Sequence, residues 1–163
     1  MATSSNAKTR ASKQQDAISL LKADHRQVEK WFQEFESSRS SSRKQTLATN
    51  ICNALTVHTE IEEQIFYPAF LQATKDKDMH HEAVIEHGGA KRLIAEIEAS
   101  DPSNDYFDSR VHVLSEMIKH HVKEEEKSDG MFAEAKKSKM DLADLGRQLL
   151  ERKRALDGER QAA

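Results

Sequence analysis

Four histidines and two glutamates in this sequence have the types and the spacing of a metal site. In each half of the chain, a single histidine is followed 33 or 34 residues later by a histidine that has a glutamate four positions beyond it. The six residues are His25, His58, Glu62, His87, His121 and Glu125. Residues four apart on a helix lie on one face, one turn apart. Each His-x-x-x-Glu pair can therefore bind the same ion or two adjacent ions.

The two halves form an internal repeat of about 62 residues. The segment ADHRQVEKWFQEFES at 23–37 aligns with IEHGGAKRLIAEIEA at 85–99, and an acidic residue precedes the histidine in both. In a helical bundle, two such hairpins related by a pseudo-two-fold axis bring all six side chains to one level of the core.

Four imidazoles and two carboxylates are the ligand set of a dinuclear site in which each metal takes two imidazoles and the carboxylates bridge. This mixture suits iron, with manganese and zinc as competitors. The alternative is a set of hydrogen-bonded core histidines and solvated glutamates. Burying an uncharged polar group without a partner costs about 2–7 kcal/mol, and an isolated carboxylate costs far more. A pair of divalent ions satisfies all six residues together, whereas His–Glu ion pairs do so only in part.

Hydrophobic periodicity predicts four long helices and a C-terminal fifth, at 14–37, 43–73, 79–99, about 104–127 and near 139–156. On the fourth helix the apolar stripe continues into His121 and Glu125, so we expect these two side chains to point inward and His120 and Glu124 to face water. The stripe residues before them are Phe107, Val111, Leu114 and Ile118.

On the second helix, the inner stripe is expected to run on through Ile65 and Ala69, and Pro68 to kink or weaken the last turns. At 100° per residue, Tyr67 lies about 180° from His58, which argues against a phenolate ligand. The third helix is expected to bury Val84 on the stripe of His87.

The remaining histidines and acidic neighbours are expected to have ordinary surface roles. His80, His81 and His112 fall off the stripes or near helix ends. Glu63, Glu124 and Glu126 are expected to be solvated, with Glu126 as a substitute for Glu125 if the helix is distorted there.

The predicted fold is all-α: an antiparallel up-down-up-down four-helix bundle with an additional C-terminal helix. Residues 1–13 are predicted to be a disordered N-terminal tail, 14–135 the bundle, and 136–163 the C-terminal helix with a short tail.

Composition excludes several classes of function. A net charge of −3 gives no basic field for nucleic acid, and no apolar run approaches the ~20 residues of a membrane span. Cys52 is the single cysteine, which rules out an intramolecular disulfide and disfavours a cysteine-based metal site. The polar start MATSSNAKTRASK lacks the apolar region of a secretory signal, so a cytoplasmic location is expected.

From Asp16 to Leu156 the sequence resembles the hemerythrin-like, or HHE cation-binding, family, especially its bacterial single-domain members. The resemblance is carried by LLKADHRQVEKWF, ALTVHTEIEEQIFYPA, VIEHGGAKRLIAEIE, HHVKEEE, GMFAEA and LADLGRQLLERKRAL. It implies a four-helix bundle around two non-haem iron ions, oxo- or hydroxo-bridged, with ligands at the same six positions.

The sequence departs from the oxygen-carrying members of that family. Those proteins use a fifth histidine, in a His-x-x-x-His on the third helix, where Ala83 and Lys91 flank His87 here. Their fourth-helix carboxylate lies five residues after the histidine, whereas the stripe here selects Glu125, four after His121. Fewer protein ligands leave more positions for O2, peroxide or NO.

The expected function is therefore iron binding tied to redox or oxidative-stress handling rather than reversible oxygen carriage. Two alternatives remain open. One is a catalase-like oxidoreductase that turns over peroxide. The other is a regulatory helical bundle with structural zinc.

Overall fold

A computed structural model describes residues 14–163, and its regular secondary structure is entirely helical, which confirms the all-α class. The elements are α1 (Ala17–Ser37), α2 (Ser41–Ile61), a π-helical turn (Glu62–Phe66), α3 (Tyr67–Thr74), α4 (Lys77–Glu98), α5 (Phe107–Glu126), α6 (Met131–Lys137) and α7 (Leu142–Ala162). The predicted disordered tail at 1–13 lies outside the described residues. None of the helices over 14–163 has the length and apolarity needed to cross a bilayer.

Aspartate side chains define where three of the helices begin. Asp16, Asp76 and Asp141 each accept a hydrogen bond from the backbone N–H three residues later, at 2.8–3.0 Å. Such caps satisfy N–H groups that have no partner within the helix. They fix the starts of α1, α4 and α7.

The four long helices α1, α2, α4 and α5 surround a common core. Helix α1 packs against α2 and α5, and α4 packs against the same two helices. Helix α7 lies across α1 and α2. The buried apolar side chains form two clusters, one containing Leu21, Phe66 and Phe132 and the other containing Val28 and Leu55. Leu21 and Val28 lie on either side of His25 in α1, so this histidine occupies the boundary between the two clusters.

The predicted second helix, 43–73, is interrupted by the π-helical turn. The Tyr67 N–H donates to the Glu62 carbonyl, five residues back rather than four. Pro68 has no N–H to give the Gln64 carbonyl its α-helical partner, which disfavours regular α geometry at this point. The distortion adjoins Pro68 as predicted, but it takes the form of a wider turn.

The wider turn moves the buried face by one residue, and the prediction for this segment is wrong. Ile65 and Ala69, expected inside, are only partly buried. The fully buried residues are instead Phe66, Tyr67 and Phe70.

Two further predictions differ from the structure. The short helix α6 was not predicted, because seven residues are too few to establish a periodic pattern. Val84, expected on the inner stripe of the third helix, is 36% exposed, and the neighbouring Ala83 is buried in its place.

Candidate metal centre

The six residues singled out by spacing converge in the core. Each is at most 5% exposed, and they come from α1, α2, the π-helical turn, α4 and α5. His121 and Glu125 point inward as expected. The side chain of His120 is 62% exposed. Of the two adjacent histidines of α5, His121 therefore faces the core and His120 faces solvent, as the periodicity predicts.

Two of the histidines form one half of the site with one oxygen from each glutamate. The His25 Nε2 and His58 Nε2 atoms are 3.1 Å apart. Glu62 Oε1 lies 3.2 Å from His58 Nε2, and Glu125 Oε2 lies 3.3 Å from His25 Nε2.

The other two histidines repeat this arrangement with the remaining carboxylate oxygens. The His87 Nε2 and His121 Nε2 atoms are 3.2 Å apart. Glu62 Oε2 lies 3.0 Å from His87 Nε2, and Glu125 Oε1 lies 3.2 Å from His121 Nε2. Each glutamate therefore offers one oxygen to each pair of imidazoles.

The donor spacing matches what a metal ion requires. Two donors bound at about 2.1 Å and at right angles to each other lie about 3 Å apart. Among residues 14–163, the groups with metal-binding geometry are His25, His58, Glu62 and Glu125, and Glu62, His87 and His121. The two groups share Glu62, which can thus bridge two ions.

Tyr67 also reaches this centre, against the sequence prediction. Its hydroxyl donates to Glu125 Oε1 at 2.7 Å and lies 3.1 Å from Glu62 Oε2. The same oxygen is 3.0 Å from His87 Nε2 and 3.3 Å from His121 Nε2. The angle of 180° from His58 assumed an unbroken α-helix. The π-helical turn absorbs one extra residue and places Tyr67 on the side of Glu62.

The acidic residue before each single histidine binds a histidine of the following helix. Asp24 Oδ2 is 3.2 Å from His58 Nδ1, and Glu86 accepts from His121 Nδ1. The repeat contained this signal, an acid before the histidine in both halves, but sequence reasoning gave it no role.

The glutamate that follows each inward glutamate contacts the remaining histidine. Glu126 Oε2 lies 3.3 Å from His25 Nδ1, and Glu63 Oε1 lies 3.8 Å from His87 Nδ1. The expectation that Glu63 and Glu126 are solvated is therefore wrong, because both face the centre across a helix interface. Glu124, whose side chain is 33% exposed, is a surface neighbour as expected.

The carboxylates that contact Nδ1 influence which nitrogen of each imidazole carries a proton and which is free to bind a metal ion. At His25, His58 and His121, a carboxylate hydrogen-bonded to Nδ1 holds a proton there, so that the neutral imidazole directs its Nε2 lone pair inward. Within residues 14–163, His87 Nδ1 makes no such hydrogen bond, because Glu63 lies 3.8 Å away. Glu62 Oε1 and Glu125 Oε2 accept no hydrogen bond from the described residues. With neutral imidazoles, lone pairs and anionic oxygens would face one another among residues that are at most 5% exposed, a combination that divalent cations stabilise.

The pKa values of His58 and Glu125 reflect the close approach of buried imidazoles and carboxylates. Burial opposes the charge of His58, but Glu62 and Asp24 outweigh it and raise the pKa of His58 to about 10. Burial and Glu62 favour the neutral form of Glu125, but His121 and His25 lower the pKa of Glu125 to about 2. Without metal, protons on the imidazoles compensate the carboxylates. Metal ions would displace those protons.

The other histidines lie outside the centre. His81 and His112 are exposed, as expected. His80 is half-buried, with its ring centroid 6.2 Å from that of Tyr67. None of the three belongs to the donor groups found among residues 14–163.

Comparison with known proteins places this architecture among relatives. A family model described as the hemerythrin HHE cation binding domain matches residues 16–133. A crystal structure of a hemerythrin HHE cation-binding domain-containing protein from Mycobacterium kansasii superposes with a TM-score of 0.68, at 18% identity, over 89% of each chain. A protein from Nostoc sp. named DNA nickase is 32% identical over 107 residues, which are 66% of this chain but only 30% of that protein.

Proposed function

Because the chain belongs to the hemerythrin HHE cation-binding domain family, we propose that it binds two non-haem iron ions at the six converging residues. The observation that carries this proposal is that Glu62 and Glu125 each direct one oxygen toward one pair of histidines and the second oxygen toward the other pair. We infer that the four long helices supporting this arrangement run up-down-up-down in antiparallel order.

The residues fit two unequal metal positions. The first would be held by His25 and His58 with the two glutamates. The second would be held by His87 and His121 with the same glutamates, and the Tyr67 hydroxyl lies close enough to be a fifth donor. Nitrogen and oxygen donors without sulfur suit iron or manganese, and zinc competes by affinity.

Bound iron would supply electrons and open positions for O2, peroxide or NO. The chain's own residues limit the contact of the centre with bulk water and hold a hydroxyl proton at Tyr67. Asp24, Glu86 and Glu126 orient the imidazoles of His58, His121 and His25. We propose a role in iron or redox handling under oxidative stress, in the cytoplasm. The activity in the name of the Nostoc protein is not carried over, because the matching part is under a third of that protein.

The test is elemental analysis of the natively purified protein together with paired variants. Wild type is expected to hold two iron ions per chain. His121→Gln and Glu125→Gln should each lose at least one ion. His120→Gln and Glu124→Gln change the same residue types one position earlier, on the solvent side, and should retain both.

Three results would redirect the proposal. If His120→Gln lost as much metal as His121→Gln, or Glu124→Gln as much as Glu125→Gln, the assignment of ligands would be refuted. Zinc in place of iron would favour the structural alternative. Rapid turnover of hydrogen peroxide by the iron-loaded chain, abolished in Glu125→Gln, would favour a catalase-like oxidoreductase.

A further inference from the structure

We propose that metal ions reach the centre through an acidic vestibule between the start of α4 and the end of α5, an inference that rests on the proposed metal binding. The vestibule is a cavity of about 350 Å³. The carboxylates on its wall, other than that of Glu125 at its inner end, belong to Asp76, Asp78, Glu82, Glu86 and Glu124.

The inner end of the vestibule is the centre itself. His121 and Glu125 lie on its wall. Glu125 is 2% exposed, and its Oε2 atom accepts no hydrogen bond from the described residues. The polar neighbour of this oxygen is His25 Nε2, at 3.3 Å, in the other half of the centre. A buried carboxylate at the inner end of a cavity lined by further carboxylates attracts cations and repels anions.

The two halves of the repeat differ at this point. In the first half, Asp24, which binds His58, is also paired with Lys153 from α7. In the second half, the equivalent Glu86 is paired outward with the exposed His120, at 3.2 Å. Helix α7 therefore supplies a permanent positive charge on one side of the centre and none on the side of the vestibule.

A second cavity supports this distinction. It has a volume of about 190 Å³, reaches His58, and is lined by apolar side chains that include Trp31 and Leu55. Lys153 lies on its wall beside Asp24. The carboxylates of this cavity are those of Asp24 and Asp157, and the Lys153 ammonium group offsets one of these two charges. The His58 side therefore attracts a cation less strongly than the vestibule, where six carboxylates face one lysine.

The charge of the vestibule favours rapid capture. Among the described residues on its wall, the basic side chains are Lys127, which is paired with Glu124 at 2.5 Å, and His121 at the inner end. The carboxylates thus outnumber the ammonium group. A cleft lined by one sign of charge raises the association rate of oppositely charged solutes by about 10- to 1000-fold.

The experiment measures the rate of metal uptake by the full chain. Metal-free protein, prepared by chelation, is mixed with Co²⁺ at low ionic strength, and the visible absorption of bound cobalt is followed. The double variant Asp78→Asn, Glu82→Gln removes two vestibule charges. Glu96→Gln, Asp105→Asn removes two exposed charges outside the vestibule and is the matched control. Lys127→Gln removes the ammonium charge from the wall of the vestibule.

We expect the vestibule variant to take up cobalt about three- to tenfold more slowly than wild type, and Lys127→Gln to take it up faster. Both effects should shrink in about 1 M salt, where the Debye length is about 3 Å. The control should match wild type, and all variants should end with the same cobalt content.

Equal rates in the vestibule variant and the control would overturn the route and leave the metal centre standing. A lower final cobalt content in the vestibule variant would also overturn it, since those carboxylates would then be ligands rather than a path. A wild-type chain that takes up no metal would refute the proposed function, and with it the route.

Discussion

The replacement Tyr67→Phe tests the local geometry that sequence periodicity alone could not provide. The change removes one hydroxyl and keeps the aromatic ring, which packs with its centroid 6.3 Å from that of Phe66. The lost interaction is the hydrogen bond to the Glu125 carboxylate at 2.7 Å. In metal-free protein the hydroxyl is a donor, because burial and the charges of Glu125 and Glu62 raise the pKa of Tyr67 well above its usual value.

The magnitude follows from the charge of the acceptor. A hydrogen bond to a charged group contributes about 1.5–3 kcal/mol to stability. Glu125 Oε1 keeps a second partner, His121 Nε2 at 3.2 Å, so the lower half of that range is expected. With a urea slope of about 2 kcal/mol per M, the unfolding midpoint of the metal-free protein should fall by about 1 M.

The assay is urea unfolding of metal-free protein, followed by helical circular dichroism. Tyr106→Phe is the matched control, because Tyr106 is 68% exposed and Phe keeps its ring beside Arg110. That change should stay within about 0.5 kcal/mol of wild type. If Tyr67→Phe behaves like the control, the hydroxyl does not reach the carboxylates and the placement of the π-helical turn is refuted.

Two further predictions concern stability. Ala at Gly146 would place Cβ 2.4 Å from the backbone oxygen of Gln15, so Gly146→Ala should destabilise the protein by about 1–3 kcal/mol, measured by thermal melting. On the same helix Gly158 has open space, and Gly158→Ala should instead be neutral or stabilise by up to about 1 kcal/mol; destabilisation by both would refute the close contact between α7 and the start of α1. Because the folded-state pKa of His58 is raised from 6.5 to about 10, its contribution to the stability of metal-free protein should be complete below about pH 6.5 and lost as the pH rises through 10. Metal-loaded protein, with neutral imidazoles, should not share that alkaline loss, and identical pH profiles of melting temperature for the two forms would contradict the ion-pair account.

The sequence alone determined the all-α class and the inward direction of six polar residues. Helical periodicity is a local property, so the phase of His121 and Glu125 against an apolar stripe could be calculated from spacing. The same arithmetic placed His120 and Glu124 outside. It needed no knowledge of the other helices.

The tertiary structure decided how these residues are supported. Whether the turn after Glu62 closes four or five residues back depends on which following side chains find a buried space, and it is Phe66, Tyr67 and Phe70 that fill it. The partners of the histidines come from other helices, with Asp24 and His58 separated by 34 residues and His25 and Glu126 by 101. No periodic pattern encodes such pairings, because they arise from the packing of helices against one another.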